Sequence, residues 1–284
     1  MSNTLNQSSQ IKQMVTAALT EDIGDEDVTA NLLDDSAVAF AHILCREDAV
    51  LCGQAWFDET FRQCDSTVHI EWQLNDGDAM RAGQTVCEIS GNAKAMVTAE
   101  RTALNFLQTL SGTATVTRHY MTAMTGTECK LLDTRKTIPL LRNAQKYAVV
   151  CGGGVNHRIG LYDGILIKEN HIEAAGSVKV AIERMRAYRP GMKIEIEVEN
   201  LAQLEDALSN KADILLLDNF SLADTKKAVE ITAGRAILEA SGGFEYDDLA
   251  AVAQTGVDFI SVGALTKHLR SIDFSMRFSS SFQK

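Results

Sequence analysis

Apolar residues along this chain follow two rhythms. Near the start, Ile11, Met14, Val15, Ala18 and Leu19 recur at helical spacing, which predicts an amphipathic helix over residues 8–19. From 37 to 91 the texture becomes short apolar or alternating runs, AVAFAHILC, AVLCG, HIEWQL and QTVCEIS, broken by NDGD, RAG and SGN. Such runs predict antiparallel strands joined by turns. Residues 93–124 read as a long helical region with Val97, Leu104, Leu107 and Leu110 on a buried face and Arg101 near its edge. Ser111-Gly112 predicts a break of that region into two helices, because glycine disfavours a helix interior.

Beyond residue 128 the second rhythm begins. Apolar strands are expected at KLLDT (130–134), GILIK (164–168), IEIEV (194–198), DILLLD (213–218), AILEAS (236–241) and FISVG (259–263). Between them lie helical stretches such as GSVKVAIERMRAY, LAQLEDALSN and LADTKKAVEIT. Strand–helix alternation implies a parallel sheet, and runs as continuous as ILLL fit strands covered on both faces. Six such strands suit a doubly wound sheet or a barrel with fewer than eight strands.

Composition adds boundaries. With 284 residues, 45% hydrophobic and 23% charged, the chain has the make-up of an ordinary globular protein of one large or two medium domains. No run of about 18 apolar residues predicts a membrane span, and the polar start MSNTLNQSSQ lacks a secretory apolar segment. Six scattered cysteines without a CxxC pair read as reduced thiols of a cytoplasmic protein. The net charge of −11 argues against nucleic acid or an anionic membrane as partner. Yet residues 101–170 hold nine Lys/Arg against four Asp/Glu, a positive island on a negative molecule. That contrast points to a small polyanionic ligand.

The island centres on LLDTRKTIPLLRNAQKYAVVCGGGVNHR (131–158), which gathers Arg135, Lys136, Arg142, Lys146, His157 and Arg158. A solvated basic face is the simplest account of such a run. The strand ends argue otherwise. In β/α folds, sites form at the C-terminal ends of the strands. Here the six ends carry Asp133-Thr134-Arg135-Lys136; Lys168; Glu195, Glu197 and Glu199; Asp218-Asn219; Ser241-Gly242-Gly243; and Gly263. Cations come from the early loops, Glu197 and Asp218 from the middle strands, and glycines before helix starts come last, where backbone N–H groups suit a phosphate. This set describes two ligands, a phosphorylated sugar with magnesium and a small acid held by arginine. CGGG lacks the Lys-Ser/Thr ending of a P-loop and reads as a turn. Glu195 and Glu199 are compatible with solvated strand positions. Lys168, a strand-end lysine, is compatible with a Schiff-base role. His171 is open between ligand and structure; His42, His69, His119 and His268 read as structural or surface residues.

The motifs AERTALNFLQTLSGTAT, LLDTRKTIPLLR, KYAVVCGGGVNHR, ILIKENHI, IEIEVEN, DILLLDNF, LEASGG and GVDFISVGALTKH, in this order, resemble the quinolinate phosphoribosyltransferases from about residue 15 onward. The resemblance implies an α/β fold of two parts: an N-terminal α/β sandwich (1–112, joined by the tail 272–284) and an incomplete six-stranded α/β barrel (113–271). It implies transfer of phosphoribosyl from phosphoribosyl pyrophosphate to quinolinate with decarboxylation, giving nicotinate mononucleotide, pyrophosphate and CO2 for NAD biosynthesis. By motif position, Arg135, His157, Arg158 and Lys168 would hold quinolinate, with Arg101 supplied by the partner of a homodimer. Lys136, Glu197 and Asp218 would meet phosphoribosyl pyrophosphate, with Glu197 and Asp218 on Mg2+, and Thr134 would be a further substrate contact. Ser241, Gly242, Gly243, Val262, Gly263 and Ala264 would take the 5-phosphate. Two positions depart from the family pattern: Leu140 follows Pro139 where glycine is usual, and Glu26 stands where a small residue is commoner. Alternatives are a paralogous transferase for another pyridine or small acid, a Schiff-base aldolase using Lys168, and a non-catalytic sensor of a phosphorylated metabolite.

Overall fold

The computed structural model describes residues 2–279, with side chains from residue 8 onward. The end of the tail beyond residue 279 lies outside the described residues. The chain divides into two compact units, one running to Thr115 and resuming at Leu269, the other Val116–His268.

The first unit opens with α1 (Ser2–Ile23), whose Ile11, Val15 and Leu19 are buried as their spacing requires. Then come β1 (Val38–Cys45), β2 (Ala49–Val50), α2 (Gln54–Cys64), β3 (His69–Trp72), β4 (Ala79–Met80), β5 (Thr85–Asn92) and α3 (Ala93–Ala123). β1 pairs antiparallel with β5 and with the strand Phe274–Phe278, and β3 pairs antiparallel with β5 on its other edge. β2 and β4 form a separate two-stranded ribbon. Ala39, Ala41, Ile43 and Cys45, alternate positions of β1, are buried with Phe57 and Phe61 of α2 and Leu104 and Leu107 of α3.

The expected break at Ser111-Gly112 is absent: α3 is one helix of 31 residues. Gly112 serves packing instead. A Cβ there would lie 2.1 Å from the Arg270 carbonyl oxygen, so only glycine lets that chain segment cross the helix. Ser111 is equally occupied, accepting from Cys52 N at 3.0 Å. Val97 is only half-buried; Met96, Ala99 and Ala103 complete the buried face with the three leucines.

The second unit carries all six expected strands: β6 (Lys130–Leu132), β7 (Ile165–Ile167), β8 (Ile194–Val198), β9 (Ile214–Asp218), β10 (Ile237–Ser241) and β11 (Phe259–Ser261). The helices are α4 (Arg142–Cys151), α5 (Glu169–Ala175), α6 (Val178–Tyr188), α7 (Leu201–Ser209), α8 (Leu222–Thr232), α9 (Tyr246–Ala253) and the short α10 (Ala264–Lys267). Strands are parallel in the order β6-β11-β10-β9-β8-β7. That is cyclic chain order with β6 wrapped round to follow β11, so the missing β6–β7 pairing is the open seam of an incomplete barrel. Ser177, Asn200 and Ser221 cap α6, α7 and α8 by accepting N–H bonds from Val180, Gln203 and Asp224.

Alternation along the strands sorts the two faces of this sheet. Ile194, Ile196, Val198, Leu215, Leu217, Leu238, Ala240 and Ile260 pack with Ile182, Leu204, Ala207, Ala228 and Leu249 of the helices. The intervening positions include Glu195, Glu197, Leu216, Asp218, Glu239, Ser241 and Ser261, so the face away from the helices is strongly acidic.

Candidate active site

The cations of the 131–158 stretch divide into struts and free groups. Lys146 of α4 is fully buried against the Asp133 carboxylate at the end of β6, and donates to the His157 carbonyl oxygen at 3.0 Å. Burial drives the two members of this pair in opposite directions, Asp133 up to about 6 and Lys146 down, while their attraction opposes both shifts. Arg142 braces the loop around it, donating to Thr137 Oγ1 at 3.2 Å and to the carbonyls of Ile159 and Arg135 at 3.3 Å. Gln145 takes the Ile138 N–H at 2.8 Å, and the Thr266 hydroxyl donates to the Lys136 carbonyl at 2.7 Å. These bonds hold the loop so that Arg135 and Lys136 leave it as side chains without a protein acceptor, among the described residues.

Arg135, Arg158 and Lys168 line one cavity of about 470 Å3, together with Ile165, Leu166 and Ile167 of β7 and with Ala181, Arg184 and Met185 of α6. Burial, and then the like charge of Arg135, lower the Arg158 guanidinium from its ordinary value. Cations gathered beside apolar residues favour an anionic ligand with an apolar body, such as an aromatic carboxylate. His157 does not line this cavity. It lines a second one of about 410 Å3, with Glu195 and Glu239. His171, left open by sequence, turns its ring to the start of α5, where Nδ1 accepts the Lys168 N–H at 2.9 Å.

The acidic edge adjoins. Lys168 Nζ reaches Glu197 Oε2 at 2.5 Å. Burial and then the charge of Glu197 raise Asp218, against Lys168, Asn219 and Lys136. Two carboxylates on neighbouring strands, one held up by the other, form a donor set suited to a hard dication. Glycines let the neighbouring strand ends approach. A Cβ on Gly242 would sit 2.9 Å from Asn219 Oδ1, and one on Gly263 2.9 Å from Lys136 Cδ. Val262 N–H is committed to Leu132 O at 3.0 Å. Among the described residues, the N–H groups of Gly242, Gly243, Gly263 and Ala264 have no protein acceptor. Thr134 Oγ1 accepts the Lys136 N–H at 3.0 Å.

Residues 27–111 match the family described as quinolinate phosphoribosyl transferase, N-terminal domain, and residues 113–277 its C-terminal domain. The chain belongs to the quinolinate phosphoribosyltransferase family. It is 38% identical over 268 residues to a probable carboxylating nicotinate-nucleotide pyrophosphorylase of Bacillus subtilis, covering 94% of this chain and 93% of that one. It is 36% identical to the chloroplastic carboxylating enzyme of Arabidopsis thaliana, over 94% of this chain and 82% of that one. Among solved structures, the nicotinate-nucleotide pyrophosphorylase of Francisella tularensis superposes with a TM-score of 0.94 at 46% identity, covering 96% and 97% of the two chains.

Two features of this quinolinate phosphoribosyltransferase chain depart from what its sequence predicts. Glu195 is no solvated strand position; it is 5% exposed, because it shares its face with Glu197 and that face is enclosed at its level. Glu239, absent from the candidate residues, is 2% exposed. A lone glutamate inside the apolar run AILEAS was the available clue. Arg101 is exposed on α3. Leu140 has φ +66° with its side chain 93% exposed, so the turn after Pro139 keeps a conformation that favours glycine.

Proposed function

We propose that this chain is the carboxylating nicotinate-nucleotide pyrophosphorylase, joining quinolinate to the phosphoribosyl group of phosphoribosyl pyrophosphate. The presence of Arg135, Arg158 and Lys168 in the lining of one partly apolar cavity carries the reading, since a planar dicarboxylate needs both features. The ion pair of Glu197 with Lys168 supports a sugar site next to the acid site. Glu197 and Asp218 would hold magnesium with the donor. When bound there, magnesium supplies positive charge against the leaving pyrophosphate.

The quinolinate nitrogen attacks the anomeric carbon while the bond to pyrophosphate breaks. Lys136 stabilises the departing oxygens, and Glu197 and Asp218 favour the cationic character of the sugar. The ring nitrogen, now positive, accepts the electron pair released when the adjacent carboxylate leaves as CO2, and the ring carbon takes a proton. Arg135 and Arg158 orient the carboxylates, so positioning contributes alongside charge. The free N–H groups of Gly242, Gly243, Gly263 and Ala264, with Ser241, support a 5-phosphate seat at the ends of β10 and β11. The exposure of Arg101 supports its donation to a neighbouring subunit in a homodimer. Four buried cysteines, Cys45, Cys52, Cys87 and Cys129, support a cytoplasmic setting, and among the described residues no helix is long and apolar enough to cross a membrane. The Lys168 side chain is engaged by the Glu197 carboxylate, which disfavours its use as a Schiff-base nucleophile.

The test mixes purified protein with quinolinate, phosphoribosyl pyrophosphate and magnesium, and follows nicotinate mononucleotide and pyrophosphate. Pyrophosphate without the mononucleotide, or neither product, would reject the reading.

A further inference from the structure

His157 is held on three sides. Its backbone N–H donates to Asp133 Oδ1 at 2.9 Å and its carbonyl accepts from Lys146. Its ring Nε2 lies 3.0 Å from Glu195 Oε2 and 3.5 Å from Glu239 Oε2. Its ring Nδ1 accepts the backbone N–H of Arg158 at 2.7 Å. An N–H on Nδ1 occupies that lone pair, so the proton of the ring sits on Nε2 and points to the carboxyl pair. The imidazole is therefore a bridge, with acids on one side and the main chain of Arg158 on the other.

Nothing in the packing of the sheet requires acids at 195 and 239. Leu216, in register with both Glu197 and Glu239 on the same face, fills its place with hydrocarbon. Glu239 also leaves Oε1 buried without a partner, a cost an apolar residue would avoid. What the carboxyl pair does accomplish is to fix the tautomer and tilt of one ring, and that ring grips the residue whose guanidinium lines the cationic cavity.

We propose that Glu195 and Glu239 are positioning residues for the dicarboxylate subsite, acting through the His157 ring to set the main chain, and hence the guanidinium, of Arg158. This rests on the reading of Arg158 as a quinolinate contact. Burial, and then the neighbouring Glu195, raise Glu239 from its ordinary value. Arg158 itself is held again from the far side, its Nη1 donating to Gly164 O at 3.3 Å.

The experiment compares Glu239→Leu, Glu195→Leu and Glu239→Gln with the unaltered enzyme by steady-state kinetics and thermal melting. Each leucine variant should raise KM for quinolinate about tenfold or more and leave KM for phosphoribosyl pyrophosphate within about twofold, the size of one lost orienting hydrogen bond. Glu239→Gln, which imitates the protonated acid, should bring the quinolinate KM back to within about threefold. Equal changes in both KM values, or leucine variants with normal kinetics, would overturn the proposal. Ring 15N NMR of the unaltered protein gives a readout apart from turnover: His157 should show an unprotonated Nδ1 and a protonated Nε2. The opposite tautomer, or an imidazolium at neutral pH, overturns the proposal even if the leucine variants fail to fold. An active enzyme whose Arg158→Ala variant binds quinolinate normally would sink the role of Arg158 and this proposal together. An inactive protein with the expected His157 tautomer would instead sink the reading of the function.

Discussion

Lys168 Nζ and Glu197 Oε2, 2.5 Å apart, join the cationic cavity to the acidic edge through a single ion pair. Lys168 is half-exposed, so the pair adds little to folding, and each partner is available to a ligand of opposite charge. Lys168→Met should therefore raise KM for quinolinate by about tenfold or more, and Glu197→Gln should lower kcat and weaken the sugar donor. Neither should shift stability by more than about 1 kcal/mol. Kinetics with each substrate varied in turn, beside urea unfolding, separates these effects; a large loss of stability would show that the pair is structural.

Lys146 and Asp133 behave in the opposite way. Both are buried, and removing one leaves the other without its opposite charge. Lys146→Met should cost about 3–5 kcal/mol in urea unfolding, and Lys146→Met with Asp133→Leu should recover part of that loss. An unaffected single variant would contradict the buried ion pair.

Glu239 makes stability depend on pH. Its folded-state value of about 8 stands above the ordinary 4.5, so the native protein keeps a proton that the unfolded chain has released. That contribution is fully present below about 4.5 and is lost as pH rises through about 8, with a slope of at most about 1.4 kcal/mol per pH unit. Glu239→Gln does not titrate, so its stability relative to the unaltered protein should improve steadily from about pH 5 to pH 8. Denaturant midpoints across that range measure it, and a constant gap would show that Glu239 is already ionised.

Leu140 stores strain at the surface. A non-glycine residue at φ +66° carries a cost, and a side chain 93% exposed recovers almost nothing by burial. Leu140→Gly should stabilise the fold by up to about 1 kcal/mol, the left-handed strain relieved less the added freedom of the unfolded chain. Chemical denaturation reads the gain directly. A loss would mean that the leucine side chain makes stabilising contacts of its own.

Much of the second unit was legible because its rules are local. Parallel strands covered on both faces read as near-continuous apolar runs, and ILLL of β9 reads accordingly. Helices that follow such strands need an oxygen at the first turn, and Ser177, Asn200 and Ser221 supply it. The positions of Arg135, Lys136, Lys168, Glu197 and Asp218 followed because strand ends in such folds share one rim.

What the sequence determined by itself was periodicity: which residues alternate together, where strands stop, and which charges leave them. Only the tertiary structure decided what each face meets. Gly112 reads as a helix breaker by propensity, yet the helix continues because the carbonyl of Arg270, far away in sequence, needs the space. Lys146 looks like its neighbours in a basic run until Asp133 and burial turn it into a strut. Glu195 shares a face with Glu197 by alternation alone, but whether that face meets water depends on strands more than forty residues away, and burial is a property of their closure around it.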